Sequence, residues 1–153
     1  MGSSINKLES INAGITSLKM EFGQLRVSPL YESEAVGFAG ENFYNLVVEL
    51  KTDLTVQALI SRLKAIEIEH GRVKNALKFA PRTLDLDLLL YDHLVDHNIN
   101  LPRAEITENA FVLKPLAELA PQLKHPVLDK TYQILWEKYP RKKQKLWKIE
   151  HNF

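Results

Sequence analysis

One stretch of the sequence alternates aspartate with leucine: Ala80-Pro81-Arg82-Thr83-Leu84-Asp85-Leu86-Asp87-Leu88-Leu89-Leu90-Tyr91. Successive side chains of a β-strand point to opposite faces, so a strand here places Asp85 and Asp87 on one face and the leucines on the other. The two carboxylates then lie about 7 Å apart and offer the hard oxygen ligands that Mg²⁺ prefers. The pattern therefore predicts a strand with one buried leucine face. The other face is either the solvated face of an edge strand, where acidic residues limit aggregation, or a metal site typical of phosphoryl-transfer chemistry.

Composition narrows the class of protein. The chain has 153 residues, of which 45% are hydrophobic and 25% charged, and this predicts a single globular domain over residues 1–153. A formal net charge of +1 gives no general attraction to nucleic acid or anionic membranes. Cysteine is absent, which excludes disulfides and thiolate metal sites. No apolar run reaches about 18 residues, and we expect a cytoplasmic protein that does not enter the membrane.

The hydrophobic periodicity mixes helices with strands. Helical spacing predicts three helices, over residues 7–20, 55–70 and 130–138. Besides the aspartate stretch, β-rich segments predict strands over residues 26–33, 43–50 and 145–153. Residues 115–119 predict only a short helical turn. Because the elements do not alternate as strict βαβ units, the pattern favours an α+β fold with helices layered on a mainly antiparallel sheet.

A cationic segment precedes the aspartates. It holds Arg72, Lys74, Lys78 and Arg82. Such a run is commonly a solvated surface, but carboxylates beside several cations are also what a Mg²⁺–polyphosphate complex requires. Arginine suits bidentate phosphate contact, so Arg72 and Arg82 are the stronger phosphate candidates.

Other polar and aromatic residues have two interpretations each. Phe43 and Phe111 either belong to the core or sandwich a flat heterocycle, whose edge the Asn45 amide would recognise. Residues 92–97 contain two histidines but read as a polar loop. The basic residues 138–148 form either a nucleic-acid strip or, in keeping with the near-zero net charge, a solvated helix end.

Several short motifs match one enzyme family over almost the whole chain. The strongest match is Gly71-Arg72-Val73 followed by Phe79-Ala80-Pro81-Arg82-Thr83-Leu84-Asp85-Leu86-Asp87. Supporting matches are Gly2-Ser3-Ser4, Phe43-Tyr44-Asn45, Glu67, Leu101-Pro102, Phe111-Val112-Leu113, Pro115-Leu116 and Ala120-Pro121. On these motifs the chain resembles the 6-hydroxymethyl-7,8-dihydropterin pyrophosphokinase family, whose members are also called 2-amino-4-hydroxy-6-hydroxymethyldihydropteridine diphosphokinases.

The resemblance implies a ferredoxin-like α+β sandwich and transfer of diphosphate from ATP to the pterin hydroxymethyl group, with release of AMP, in folate biosynthesis. It assigns two Mg²⁺ ions to Asp85 and Asp87, and catalytic phosphate contacts to Arg72 and Arg82. Nucleotide contacts are implied for Lys64, Glu67, Lys74, Lys78, Phe79, Leu88, Asn100 and Arg103. Pterin contacts are implied for Ser33, Val36, Phe43, Asn45 and Phe111.

The implied chemistry needs no general base from the protein. Catalysis would come from metal positioning, charge stabilisation and exclusion of water by a closing loop. The expected partners are ATP and a reduced hydroxymethylpterin. The protein is expected to be a monomer that binds neither nucleic acid nor membranes.

The sequence departs from the family pattern at a few positions. Phe79 stands where a tryptophan is usual, Arg103 where a histidine is expected, Asn109 where an arginine is expected, and Ser4 where asparagine is usual. The family's first strand would precede Gly2, and this chain lacks it, so its neighbours should expose unpaired backbone. A weakly active or non-catalytic pterin- or nucleotide-binding paralogue is therefore the alternative, and a small nucleic-acid-binding domain is a third.

Overall fold

The computed structural model describes residues 1–35, 40–71 and 83–153. In these ranges the fold is α+β, as the sequence predicts. The helices are α1 (Lys7–Phe22), α2 (Val56–Glu69), α3 (Glu105–Glu108), α4 (Ala110–Leu119) and α5 (Tyr132–Lys138). The strands are β1 (Gly2–Ser3), β2 (Arg26–Val27), β3 (Leu30–Ser33), β4 (Phe43–Asn45), β5 (Val48–Glu49) and β6 (Leu146–Ile149). None of the described helices combines the length and the hydrophobicity that a membrane span requires.

The described strands form two antiparallel sheets. One has the order β1-β4-β3-β6, and the other pairs β2 with β5. Asn45 lies opposite both Gly2 and Tyr31 in the register, so these three residues share one face of the larger sheet. Helix α4 packs against β3 on that face, where the Tyr31 hydroxyl donates to the Glu118 carboxylate.

The opposite face carries much of the apolar core. Leu30 and Leu46 pack there with Ile11 and Ile15, which lie on one side of α1 at helical spacing. All four are at most 3% exposed. The sheet therefore lies between α1 on one side and α4 on the other, as in the layered sandwich that was expected.

Three helices agree with the sequence prediction because their signals are local. For α2, the Thr55 side chain accepts a hydrogen bond from the Ala58 N–H at 3.2 Å, which caps the first turn. Gly71, with φ of +91°, follows its last turn, as predicted. Thr131 caps α5 in the same way through the Ile134 N–H.

Helix α4 is longer than the turn predicted at residues 115–119. It begins at Ala110, and its buried residues Ala110, Leu113, Leu116 and Ala117 recur at helical spacing on both sides of Pro115. Burial of this face outweighs the hydrogen bond that proline cannot donate to the Phe111 carbonyl.

The strand predicted within residues 80–91 is not formed, although the expected alternation of burial is found over residues 84–87. It does not continue, because Leu89 and Leu90 pack against the same cluster. Leu84 and Leu86 are buried, whereas Asp85 and Asp87 are not. The stretch is extended, but only Asp85 makes a β-bridge, and its partner is Gly2. A strand needs a neighbour to pair with, and among the described residues no segment pairs with residues 86–91 in the position that would extend β1.

A cavity of about 530 Å³ occupies that position. Its long sides are residues 47–52, which include β5, and residues 86–93, and its lining is mainly apolar. No backbone hydrogen bond joins residues 47–52 to residues 86–92, both of which the structure describes. Met1 closes one end, where its backbone exchanges hydrogen bonds of 3.1 Å with Leu46.

The loop after α4 contains a histidine that should make stability depend on pH. The Nδ1 atom of His125 accepts hydrogen bonds from the Val127 and Leu128 N–H groups at 3.2 and 3.1 Å, and the side chain is buried. Burial lowers the pKa of His125 below its ordinary value of 6.5. Protonation also removes the acceptor. The stabilisation is therefore present above pH 6.5 and is lost as the pH falls below it.

Thermal unfolding of the wild type and of His125→Asn at pH 7.5 and 5.5 checks this. Asparagine keeps an acceptor oxygen but does not titrate, so the variant should lose less stability on acidification than the wild type does. The exposed His93→Asn is the matched control and should behave like the wild type. An equal loss in the wild type and His125→Asn would contradict the assignment.

Candidate active site

Gly2 links the aspartate stretch to the main sheet. Its N–H donates to the Asp85 carbonyl at 2.9 Å, and its carbonyl accepts from the Asp85 N–H at 2.8 Å. On its other side Gly2 is the register partner of Asn45. Asp85 and Asn45 are thus separated by two interstrand spacings, roughly 9.5 Å. Because residues opposite one another in a register share a face, both side chains project from the same side.

The pairing leaves no room for a side chain at position 2. A Cβ atom on Gly2 would lie 2.6 Å from Oδ1 of Asn45, which real Cβ contacts do not reach. The Asn45 carboxamide therefore lies directly over the Gly2 backbone. Glycine at this position leaves room for the Asn45 amide above β1, the strand that lies between Asn45 and Asp85.

Asp87 lies within reach of a cation. Nη2 of Arg103 is 3.5 Å from Oδ1 of Asp87, and Nε of Arg103 is 3.3 Å from Oε2 of Glu105. The Arg103 N–H donates to the Leu89 carbonyl at 2.9 Å, which fixes the base of this side chain beside the aspartate stretch. Partial burial raises the pKa of Asp87 above its ordinary 3.8; the Asp85 carboxylate raises it further, and Arg103 opposes both. The two aspartates are therefore close enough to repel each other.

Glu67 positions the backbone between the two aspartates. Its side chain is only 3% exposed, and its Oε2 accepts a hydrogen bond from the Leu86 N–H at 3.1 Å. This bond ties α2 to the aspartate stretch. Glu67, predicted as a nucleotide contact, is thus placed beneath the site as an anchor of its backbone.

Two further predicted pterin contacts share the face that carries Asn45. Ser33 lies opposite Phe43 in the β3–β4 register, and both are two residues from the Tyr31–Asn45 pair. Oγ of Ser33 is buried and has no hydrogen-bond partner in the described parts of the chain. Phe111 lies in the first turn of α4, the helix that packs against β3 on this face. The structure thus brings together an aromatic ring, an amide and an unpartnered hydroxyl.

The other predicted site residues lie at the margin of this site or outside the described residues. Lys64 is exposed on α2, one turn before Glu67, and half-buried Leu88 lines the cavity. Oδ1 of Asn100 accepts from the Ala104 N–H at 3.1 Å and so supports the turn that carries Arg103. The remaining predicted contacts lie outside the described residues: Val36, Arg72, Lys74, Lys78, Phe79 and Arg82.

Among the described residues, Asp85 and Asp87 are the carboxylates that could hold a divalent metal. Within the described residues, no group of three or more histidines, cysteines or carboxylates is arranged to hold an ion. Two carboxylates suit Mg²⁺ that arrives with a nucleotide, because this ion keeps water and phosphate ligands and needs only one or two carboxylates. The donor set therefore fits a Mg²⁺–polyphosphate better than a free ion.

Sequence reasoning missed two residues. Gly2 was recognised only as part of a motif, and its contact with Asn45 could not be read from spacing. Glu105 was not considered, because an acidic residue two positions after Arg103 is no signal in itself. Both roles depend on distant segments meeting.

Two carboxylates with an arginine within reach are the groups expected in an enzyme that transfers phosphate-bearing groups. The protein-family model for 7,8-dihydro-6-hydroxymethylpterin-pyrophosphokinase (HPPK) matches residues 1–121 of the chain. The chain belongs to this pyrophosphokinase family.

Individual relatives agree. The 2-amino-4-hydroxy-6-hydroxymethyldihydropteridine pyrophosphokinase of Pseudomonas aeruginosa is 42% identical over 123 residues, covering 77% of this chain and 75% of the relative. The enzyme of the same name from Aquifex aeolicus is 37% identical over 108 residues, covering 69% and 67%. The folic acid synthesis protein fol1 of Schizosaccharomyces pombe is 36% identical over 145 residues, covering 91% of this chain but 20% of the relative.

Proposed function

We propose that this protein transfers the diphosphate group of ATP to the hydroxymethyl group of 6-hydroxymethyl-7,8-dihydropterin, with release of AMP and with Mg²⁺. Membership of the pyrophosphokinase family supports the reaction class. The observation that carries the proposal is the double pairing of Gly2 with Asn45 and Asp85. It sets the backbones of Asn45 and Asp85 roughly 9.5 Å apart, with both side chains on one side, and a pterin and the phosphates of ATP could fill that space together.

The acceptor would lie on the face formed by Ser33, Phe43 and Asn45. A ring of this size stacks on an aromatic side chain such as Phe43. The Asn45 amide offers both a donor and an acceptor to the heterocycle edge. The buried Ser33 hydroxyl, which lacks a protein partner in the described chain, would be satisfied by the same ligand.

The nucleotide phosphates would lie above the aspartates. Asp85 and Asp87 would hold Mg²⁺, which when bound offsets the phosphate charge and orients the transferred group. Arg103 would donate to a phosphate oxygen from the side of Asp87. The chain's own contribution is therefore to hold the acceptor hydroxyl and the phosphates in one orientation.

The test is incubation with ATP, Mg²⁺ and 6-hydroxymethyl-7,8-dihydropterin, with AMP and the pterin diphosphate quantified together. We expect equal amounts of both products, and no product after chelation of the metal. Pterin binding without AMP would establish the non-catalytic alternative. Formation of ADP would contradict diphosphate transfer.

Replacement of Gly2 by alanine tests the acceptor face. The new Cβ would displace the Asn45 amide, so we expect the KM for the pterin to rise about tenfold or more, with a smaller change for ATP. The variant Asn45→Ala should also raise the pterin KM. In an Asn45→Ala background the added Gly2→Ala should cost little, because the clashing amide is gone. Additive losses would show that Gly2 acts elsewhere.

A further inference from the structure

Arg103 is shared between two carboxylates. Its Nη2 and Nε atoms lie 3.5 Å from Asp87 and 3.3 Å from Glu105. Both distances exceed the 2.7–2.9 Å that is typical of charge-assisted hydrogen bonds. The guanidinium therefore lies between the two carboxylates without a tight bond to either, on a backbone fixed at Leu89.

Arg103 and a metal ion would compete for the Asp87 carboxylate. A divalent cation on Asp87 would lie beside the Arg103 guanidinium, and like charges at this range repel. A phosphate group that arrives with the ion gives the guanidinium a new partner and removes it from Asp87. Arginine is suited to this exchange, because its planar fork matches carboxylate and phosphate alike.

We propose that Arg103 couples metal binding to nucleotide binding: it occupies Asp87 in the nucleotide-free protein and moves to the nucleotide phosphates when they arrive. Glu105 is the positioning residue that holds the guanidinium partly away from Asp87. The inference deepens the proposed function and depends on it for the nucleotide site. Coupling of this kind is reciprocal, so the metal and the nucleotide each strengthen the binding of the other.

The test uses Mn²⁺ as the probe, with affinity measured by calorimetry and by electron paramagnetic resonance of the free ion. Without nucleotide, Arg103→Gln should bind Mn²⁺ about fivefold more tightly than the wild type, because the competing cation is gone. With the α,β-methylene analogue of ATP present, the same variant should bind the Mn²⁺–nucleotide complex more weakly. Opposite changes in one variant are the signature of coupling. Equal or weaker binding of free Mn²⁺ by Arg103→Gln would overturn the proposal.

Glu105→Gln tests the positioning role. Arg103 would then lie with Asp87 alone, so free Mn²⁺ should bind more weakly than to the wild type. In the Arg103→Gln background, Glu105→Gln should have little effect, whereas an unchanged loss there would show that Glu105 acts directly by its charge. Glu108→Gln, an exposed carboxylate on the same short helix, is the matched control and should leave Mn²⁺ binding unchanged.

Two further measurements separate possible failures. Arg103→Lys keeps the charge but loses the fork, so it should fall between the wild type and Arg103→Gln in free Mn²⁺ affinity; a value outside that interval would contradict the competition. AMP formation by the wild type is measured separately. If the wild type forms no AMP but the Mn²⁺ changes occur, the proposed function fails while competition for Asp87 stands. If AMP forms but Mn²⁺ affinity is unchanged in Arg103→Gln, only the coupling fails.

Discussion

Asp87→Asn is expected to reduce AMP formation by roughly a thousandfold or more while the protein stays folded. Metal-assisted charge stabilisation is worth several kcal/mol, and each 1.36 kcal/mol is tenfold in rate. Asparagine keeps the size of the side chain but removes the charge that would hold the ion. The side chain of Asp87 is 43% exposed and lies outside the buried cluster that contains Leu84 and Leu86. Its replacement therefore removes no core contact.

Steady-state AMP formation and circular dichroism measure the two parts of this expectation. Asp85→Asn should behave similarly, because its bonds to Gly2 come from the backbone. Asp129→Asn is the matched control: its side chain is 83% exposed, and its φ of +54° is one that asparagine tolerates. Loss of the folded signal in Asp87→Asn would instead make the aspartate structural.

Leu84→Ala is expected to lower the free energy of unfolding by about 3–5 kcal/mol. Leu84 is 0% exposed and packs with Leu18 and Ile66 between α1 and α2. Its methyl groups lie against Gly14, where an added Cβ would come within 2.9 Å of them, so neighbouring atoms surround the side chain closely. Domains are stable by only about 5–15 kcal/mol, and a loss of this size would leave the protein marginal.

Urea titration of the wild type and Leu84→Ala measures the difference. Leu128→Ala, in which the leucine is 46% exposed, is the matched control and should change stability by less than about 0.5 kcal/mol. A loss below about 1 kcal/mol in Leu84→Ala would mean that the site relaxes around the missing atoms. Asp87→Asn and Leu84→Ala together test the two faces of the stretch: the first should reduce activity and the second should reduce stability.

The part of the candidate site that the two aspartates form was predictable from the sequence. Asp85 and Asp87 could be paired from the sequence because the side chains of an extended chain alternate, and this needs no knowledge of the neighbours. The common face of Phe43 and Asn45 follows from the same period. The Arg103–Glu105 contact and the close approach of Gly2 to Asn45 were beyond such reasoning, because each depends on how a loop or a chain end is placed.

Helices α1, α2 and α5 were already specified by local sequence, because apolar spacing and caps such as Thr55 and Thr131 act within a few residues of one another. Residues 84–91 were different. Their extended form and their two faces are properties of the segment, but a strand requires hydrogen bonds to a neighbour. The folded chain supplies that neighbour at Gly2 and leaves a cavity beyond it, which no pattern within the segment could reveal.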